Sequence, residues 1–208
     1  LNLSITGAGN SITGGLIGGM LGGYFYTKRK RLNYFEYFSL LSPGILIGQA
    51  VGRLGCFLNG DAYGTATDSV FGMSFPRYGT WIPSFEQELQ LSSSAWRWSF
   101  EQGLVDANST MSTALHPTQL YEMIGDFALL AIVIIVFKNV WPTQKNSPII
   151  FYIHTGGYAL LRFFMEFMRG DREFVAFANM TNLQLSLLVY VLIASILWWK
   201  YQQKAKAA

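Results

Sequence analysis

Long apolar runs separated by short polar segments are the feature that most constrains how this chain can fold. About 20 apolar residues cross the hydrocarbon core of a bilayer as a helix, and several runs here reach that length. Only 13% of the residues are charged, about half the fraction that is usual in soluble domains. The alternating pattern of short strands that marks an outer-membrane barrel is missing from the sequence. The sequence therefore predicts an all-α polytopic membrane protein.

Five apolar ranges predict transmembrane helices within a single membrane domain that covers residues 1–208. They are 11–26, 34–57, 119–137, 148–168 and 183–199, with a large external loop over 58–118. Within that loop, residues 93–104 predict a short amphipathic helix. Such a helix suits the bilayer surface, and an ordinary packed external loop explains it equally well.

Basic clusters predict the orientation of the spans. The stretch TKRKR (27–31), the pair Lys138 and Lys145, and the C-terminal lysines all fall on one side if the five spans alternate. By the positive-inside rule that side is the cytoplasm. We therefore expect a cytoplasmic C-terminus and an external 58–118 segment.

Polar side chains gather near one depth, at the outer leaflet. An ionisable side chain inside a transmembrane helix costs roughly 2.5–3.5 kcal/mol on insertion scales, so it usually has a function. Arg162, Glu166 and Arg169 are spaced i, i+4 and i+7, which places them on one helix face. The others at this depth are Arg53, Asn59, Asp61, Gln119, Tyr121 and Glu122. Arginines here could bind a phosphate group, or they could only form salt bridges between helices.

Cysteine and histidine offer further candidates. Cys56 lies one helical turn after Arg53, so it is either a reactive thiol or a packing residue. His116 is either a base for an incoming thiol or a residue that caps the next helix. A single cysteine excludes an internal disulfide and a cysteine-rich metal site, so no metal site is predicted. The net charge of +3 reflects the membrane-flanking clusters, and the sequence shows no nucleic-acid-binding pattern.

Three motifs resemble those of the prolipoprotein diacylglyceryl transferase family. GRLGCFLNGDAYG (52–64) is similar to the family signature G-R-x-G-N-F-x-N-x-E-x-x-G. HPTQLYE (116–122) is similar to a second motif, and YALLRFFMEFMRGD (158–171) to a third. SITGGLIGG (11–19) and TNLQLSLLVYVLI (181–193) add weaker matches in the right order. The resemblance covers nearly the whole chain.

The resemblance implies a seven-span enzyme of the bacterial inner membrane, with its active site open to the outer leaflet and periplasm. Such an enzyme transfers the diacylglyceryl group of phosphatidylglycerol to the lipobox cysteine of a secreted prolipoprotein. It uses no metal and no soluble cofactor. This chain would then begin just before the third span of the family, after two further spans.

The resemblance also assigns roles to the polar residues. The arginines would grip the phosphate of phosphatidylglycerol, or of a similar anionic phospholipid, and stabilise its charge as it leaves. The implied catalytic residues are Arg53, His116, Arg162 and Glu166. The implied phospholipid-binding residues are Arg53, Asn59, Asp61, Gly64, Gln119, Tyr121, Glu122 and Arg169.

Three positions depart from the family pattern and keep two functions open. The histidine that precedes Gly-Gly in the family is Thr13 here, the signature asparagine is Cys56, and its glutamate is Asp61. One reading is a divergent transferase with the same reaction. The alternative is a catalytically degenerate lipid-binding or accessory subunit that docks a partner in a larger membrane complex through its long external loop.

Overall fold

Six helices form the described part of the chain. The computed structural model describes residues 12–77, 92–143, 148–172 and 180–207. The helices are α1 Ile12–Arg29, α2 Tyr34–Asn59, α3 Ser94–Glu101, α4 Thr118–Val140, α5 Ile149–Glu166 and α6 Asn182–Ala207. Over these ranges the chain has isolated β-bridges but no strand. The all-α class is therefore confirmed.

Three of these helices are long and apolar enough to cross a membrane. They are α2, α4 and, within α6, residues Asn182–Gln203. Helices α1 and α5, of 18 residues each, also lie over predicted spans but are not among these three. The length and apolar composition of α2, α4 and α6 are those expected of a helical membrane protein. Lys145 and residues 78–91 of the predicted external loop lie outside the described residues.

Capping residues define the two ends of α2. The side chain of Asn33 accepts hydrogen bonds from the backbone N–H groups of Phe35 and Glu36 at its start. At its end, Gly60 adopts a left-handed conformation (φ 70°), and its N–H donates to the carbonyls of Cys56 and Phe57. This turn directs the following residues back across the end of the helix bundle where α2 ends and α4 begins, here called the outer end.

Helix α4 packs against both α2 and α5. Two glycines allow α4 and α5 to approach closely. A Cβ atom on Gly125 would lie 2.5 Å from the Leu161 side chain, and one on Gly157 would lie 2.6 Å from that of Leu129. The close approach brings the outer ends of α4 and α5 side by side.

A small unit beside the helix bundle, here called the external unit because it lies outside the bundle, is joined to the bundle through Gly64. Its core contains Tyr63, Phe75, Ala95 and Leu115. The Gly64 N–H donates to the His116 carbonyl (2.9 Å) and the Thr65 N–H donates to the Met168 carbonyl (2.9 Å). The Gly64 segment therefore lies between the residues that precede α4 and those that follow α5.

We expect Gly64→Ala to destabilise the protein. The added Cβ would lie 2.6 Å from the His116 carbonyl oxygen and 2.9 Å from the Met168 carbonyl oxygen. These are backbone atoms that cannot move independently, so the free energy of unfolding should fall by about 1–3 kcal/mol. The matched control is Gly48→Ala, whose Cβ would meet no atom within 4 Å. Thermal unfolding in detergent should show a lower Tm only for Gly64→Ala, and equal Tm values would contradict this account of the joint.

Candidate functional site

Glu122, in the first turns of α4, is the anion around which three arginines gather. It is 2% exposed. One carboxylate oxygen lies 2.5 Å from Nη2 of Arg53, and the other lies 2.8 Å from Nη1 of Arg162. Nη1 of Arg169 is 4.0 Å from the second oxygen. A single buried carboxylate thus connects α2, α4 and the outer end of α5.

Two further carboxylates complete the arginine cluster, by which we mean Arg53, Arg162 and Arg169. Glu166 lies 3.4 Å from Arg162 on the next turn of α5. Asp171 binds Arg169 through both of its oxygens, at 2.7 Å and 2.5 Å. Burial lowers the pKa of Arg169, but the hydrogen bond and charge of Asp171, together with the charges of Glu122 and Glu166, raise it above the ordinary value. Arg169 therefore remains charged at any physiological pH.

The residues after α2 are fastened to the start of α4. The side chain of Gln119 donates to the Asp61 carbonyl (2.6 Å), and the Thr118 hydroxyl donates to the Ala62 carbonyl (2.7 Å). The Asp61 carboxylate accepts a hydrogen bond from Ser94 at the start of α3 (2.7 Å) and one from the amide of Asn59. These bonds fix the outer end of α2, and with it Arg53.

A large cleft of about 1380 Å³ runs along the bundle, with the arginine cluster at its outer end. One face of α2 lines it along most of the helix, at Tyr34, Phe38, Ile45, Arg53 and Cys56 among others. By helix geometry these residues span about 33 Å. Opposite this face the cleft is lined by residues of α1, α5 and α6, most of them apolar or small. The cleft is thus long, mainly apolar and cationic near one end.

The side chains of all three arginines line this cleft. They are 12–13% exposed. Within the described part of the chain, any nitrogen of these arginines that is buried has a hydrogen-bond partner. The carboxylates therefore hold the arginines at the wall of the cleft, where guanidinium groups are suited to bind an anion.

The external unit supplies the mouth of the cleft. Tyr63, Arg97, Trp98 and Glu101 line it next to the arginine cluster. Tyr63 is buried, and its ring packs against that of Trp98 at 5.7 Å between centroids. Burial, reinforced by the nearby carboxylate of Asp171, raises the pKa of the Tyr63 phenol well above its ordinary value. The phenol therefore remains protonated and able to donate a hydrogen bond.

The structure divides the predicted site residues into three groups. Those that line the cleft are Arg53, Cys56, Asp61, Arg162 and Arg169. Those that are buried behind the lining are Gly64, Gln119, Glu122 and Glu166. Asn59, His116 and Tyr121 lie outside the lining, and the Nδ1 atom of His116 is 3.5 Å from the Tyr121 hydroxyl. Thr13 falls in the first turn of α1, where the structure describes no side chains.

Asp126 is the acidic residue that the sequence reasoning missed. It lies one turn after Glu122 on α4, it is 1% exposed, and it is close enough to Arg53 and Arg162 to interact electrostatically. Among the described residues, neither of its oxygens has a hydrogen-bond partner. Its i, i+4 spacing from Glu122 inside an apolar helix was the available signal.

His154 occupies the inner part of the cleft, far from the arginine cluster. It is 3% exposed, and its Nδ1 atom lies 2.6 Å from the hydroxyl of Ser42, which is fully buried. By helix geometry it lies about 12 Å along α5 from Arg162. The described residues contain no group of three or more histidine, cysteine, aspartate or glutamate side chains that could hold a metal ion.

Sequence comparison finds relatives over most of the chain. Residues 2–200 match the sequence model of the family described as prolipoprotein diacylglyceryl transferase. A protein of Clostridium botulinum (strain Loch Maree / Type A3), named phosphatidylglycerol–prolipoprotein diacylglyceryl transferase, is 31% identical over 84% of this chain and 58% of its own length. A protein of the same name from Treponema denticola is 34% identical over 81% of this chain and 48% of its own length.

A more distant relative covers more of the chain. The protein of that name from Finegoldia magna is 27% identical over 97% of this chain and 65% of its own length. The chain thus spans about half to two thirds of the length of these curated relatives. No solved structure matches the chain.

We expect Glu122→Gln to destabilise the protein strongly. The neutral amide would remove the ion-pair partner of Arg53 and leave Arg162 with Glu166 alone, and breaking a buried ion pair typically costs about 3–5 kcal/mol. The control is Asp68→Asn, which neutralises an exposed carboxylate of the external unit. Thermal unfolding in detergent should show a large loss of Tm for Glu122→Gln alone. A Tm close to that of the control would contradict a central role for Glu122.

Proposed function

Because this chain belongs to the prolipoprotein diacylglyceryl transferase family, we propose that it transfers a diacylglyceryl group from phosphatidylglycerol to the lipobox cysteine of a secreted prolipoprotein. The observation that carries this proposal is the apolar cleft with the arginine cluster at its outer end. A phospholipid matches this cleft, because it has a charged phosphate group at one end and two apolar acyl chains at the other. The names of the curated relatives agree with this substrate pair.

In the proposed complex the lipid phosphate binds the arginine cluster and the acyl chains extend along α2. Guanidinium groups bind phosphate through paired N–H donors and stay charged, so they suit this role. The cleft of about 1380 Å³ exceeds the roughly 300–1,000 Å³ of ordinary small-molecule sites. Apolar side chains of α2, among them Phe38, Leu41 and Ile45, would contact the acyl chains.

The proposed reaction is a displacement at the glyceryl carbon that bears the phosphate. The thiol sulfur forms a bond to that carbon as the bond from the carbon to the phosphate oxygen breaks. The electron pair leaves with glycerol phosphate, and the thiol loses its proton to a base. Arg53, Arg162 and Arg169 would stabilise the charge that develops on the leaving phosphate. Glu122 and Glu166 would hold the guanidinium groups in place.

The remaining predicted residues receive narrower roles. Asp61, Asn59 and Gln119 would fix the outer end of α2 through the hydrogen bonds described above, with Gly64 providing the close backbone contact. We retain His116 as the proposed base, next to Tyr121. Its support is weaker than that of the arginines, since it lies outside the cleft lining. Cys56 lines the cleft and is half-buried, and a reactive thiol there remains a prediction.

A second candidate function is a lipid-binding or accessory subunit without catalysis. The replacement of the family's histidine and asparagine by Thr13 and Cys56 favours it. Such a protein would keep the cleft and the arginine cluster but transfer nothing. It would dock a partner protein through the external unit.

We further propose a topology for the chain in the bacterial inner membrane. Helices α1, α2, α4, α5 and α6 would each cross the bilayer within a single domain over residues 1–208. The basic segment at residues 27–31 and the C-terminus would be cytoplasmic. The external unit and the arginine cluster would face the periplasm and the outer leaflet. The exposed apolar side chains of α2, α4 and α6 would then contact lipid.

We predict that Arg53→Lys and Arg162→Lys each reduce transfer by at least about 100-fold. Lysine keeps the charge but cannot form the paired hydrogen bonds to phosphate. The assay uses labelled phosphatidylglycerol and a lipobox peptide with the protein in nanodiscs, and Arg29→Lys is the control because Arg29 is exposed at the end of α1. Unchanged rates in both cluster variants would contradict the proposal. No transfer by the wild type, with lipid binding lost in both variants, would favour the accessory function.

The topology predicts which positions are accessible from outside the cell. In a Cys56→Ser background, Asp106→Cys should react with a membrane-impermeant maleimide on intact spheroplasts. Lys30→Cys should react only after the membrane is permeabilised. Both positions are exposed in the structure, so accessibility depends on the side of the membrane. Labelling of residue 30 but not of residue 106 on intact spheroplasts would show the opposite orientation.

A further inference from the structure

Two charged side chains at the mouth of the cleft have no partner within the described structure. Arg97 and Glu101 lie four residues apart on α3, so they share one helix face. Both line the cleft. Among the described residues, neither side chain forms an ion pair or a hydrogen bond. In contrast, the charged residues of the arginine cluster are held by carboxylates.

Helix α3 is held rigidly where it presents these residues. Trp96 on its other side is fully buried, and its indole N–H donates to the Ser109 carbonyl (2.8 Å). The hydroxyl of Ser93 caps the helix at the Trp96 N–H, and the Ala95 N–H donates to the Gly60 carbonyl. The position of α3 is therefore tied to the turn that ends α2.

The same face lies close to the arginine cluster. The phenol of Tyr63 interacts electrostatically with Arg97 and Glu101 and also with Arg169 and Asp171. The face of α3 formed by Arg97, Trp98 and Glu101, here called the α3 face, thus borders the site on its external side. A group bound there would lie next to a phosphate held by the arginines, on the side away from the apolar cleft.

From this arrangement we propose that the α3 face binds the acceptor polypeptide immediately after its reacting cysteine. This inference rests on the proposed function. A secreted precursor keeps its basic N-terminus in the cytoplasm, so the residues that follow the reacting cysteine continue outward past the arginine cluster.

The chemistry of the α3 face suits an extended polypeptide. Arg97 can donate to backbone carbonyls, Glu101 can accept from backbone N–H groups, and the Trp98 ring offers an apolar surface. On this proposal, the α3 face affects the affinity for the acceptor and leaves lipid binding unchanged.

The test measures KM for the peptide and KM for the lipid separately, in steady-state transfer assays with the protein in phosphatidylglycerol nanodiscs. Arg97→Ala and Glu101→Ala should each raise KM for a lipobox peptide at least about tenfold, the loss expected for one charge-assisted hydrogen bond. KM for the lipid and kcat should stay at wild-type values. Asp68→Ala, which removes an exposed carboxylate that does not line the cleft, is the matched control and should change neither KM.

Peptide length provides a second comparison. A peptide that ends at the cysteine should have a higher KM than one with several further residues in the wild type, and this difference should shrink in the two variants. An unchanged peptide KM in the variants would overturn the proposal. A rise in the lipid KM would also overturn it, because the α3 face would then bind the headgroup.

Direct binding distinguishes failure of this inference from failure of the proposed function. Fluorescence anisotropy of a labelled lipobox peptide on the same nanodiscs requires no turnover. Weaker binding to both α3 variants than to wild type and Asp68→Ala would support the inference even if the wild type transferred nothing. Equal binding to all four proteins would overturn it, whether or not transfer occurs.

Discussion

The buried carboxylate of Glu122 holds the outer end of the bundle together. It pairs with Arg53 from α2 and Arg162 from α5, and Arg169 approaches the same oxygen. Without that carboxylate, like charges would face one another in a medium of low dielectric constant, where their repulsion is large. This arrangement requires α4 and α5 to pack closely, which Gly125 on α4 and Gly157 on α5 allow. The arginines are thereby held in a fixed arrangement, as the proposed phosphate site requires.

The predicted spans and the depth of the charged residues followed from local patterns in the sequence. Apolar length marked the helices, and the i, i+4, i+7 spacing placed Arg162, Glu166 and Arg169 on one face before any contact was known. The partners across helices did not follow, because they depend on packing between residues 40 or more positions apart in the chain. The sequence, read with the family resemblance, therefore indicated the arginines and named Glu122 and Glu166 as carboxylates that orient them. It did not indicate which arginines share Glu122, and it left Asp126 unnoticed.

Membrane bundle and external unit meet at the turn after α2. Gly60 reverses the chain there, and Gly64 fits between the backbones that flank α4 and α5. These glycines read as part of a family motif in the sequence, but their steric reason appears only when three distant segments are brought together. The same joint ties α3 to the turn after α2, and residues of α3 line the same cleft as the arginine cluster. It thus brings the surface proposed for the acceptor polypeptide to the cleft proposed for the lipid.

The central claim is that the arginine cluster binds the phosphate of a phospholipid at the outer end of the cleft. The direct measurement is phosphorus–nitrogen dipolar recoupling by solid-state NMR, with guanidino-labelled protein in phosphatidylglycerol bilayers. The account predicts a bound phosphate about 4 Å from guanidinium nitrogens, as paired hydrogen bonds require, and loss of this signal when Arg53 and Arg162 are both replaced by lysine. A bound lipid with no arginine nitrogen near its phosphorus, or a signal unchanged in the double variant, would contradict it.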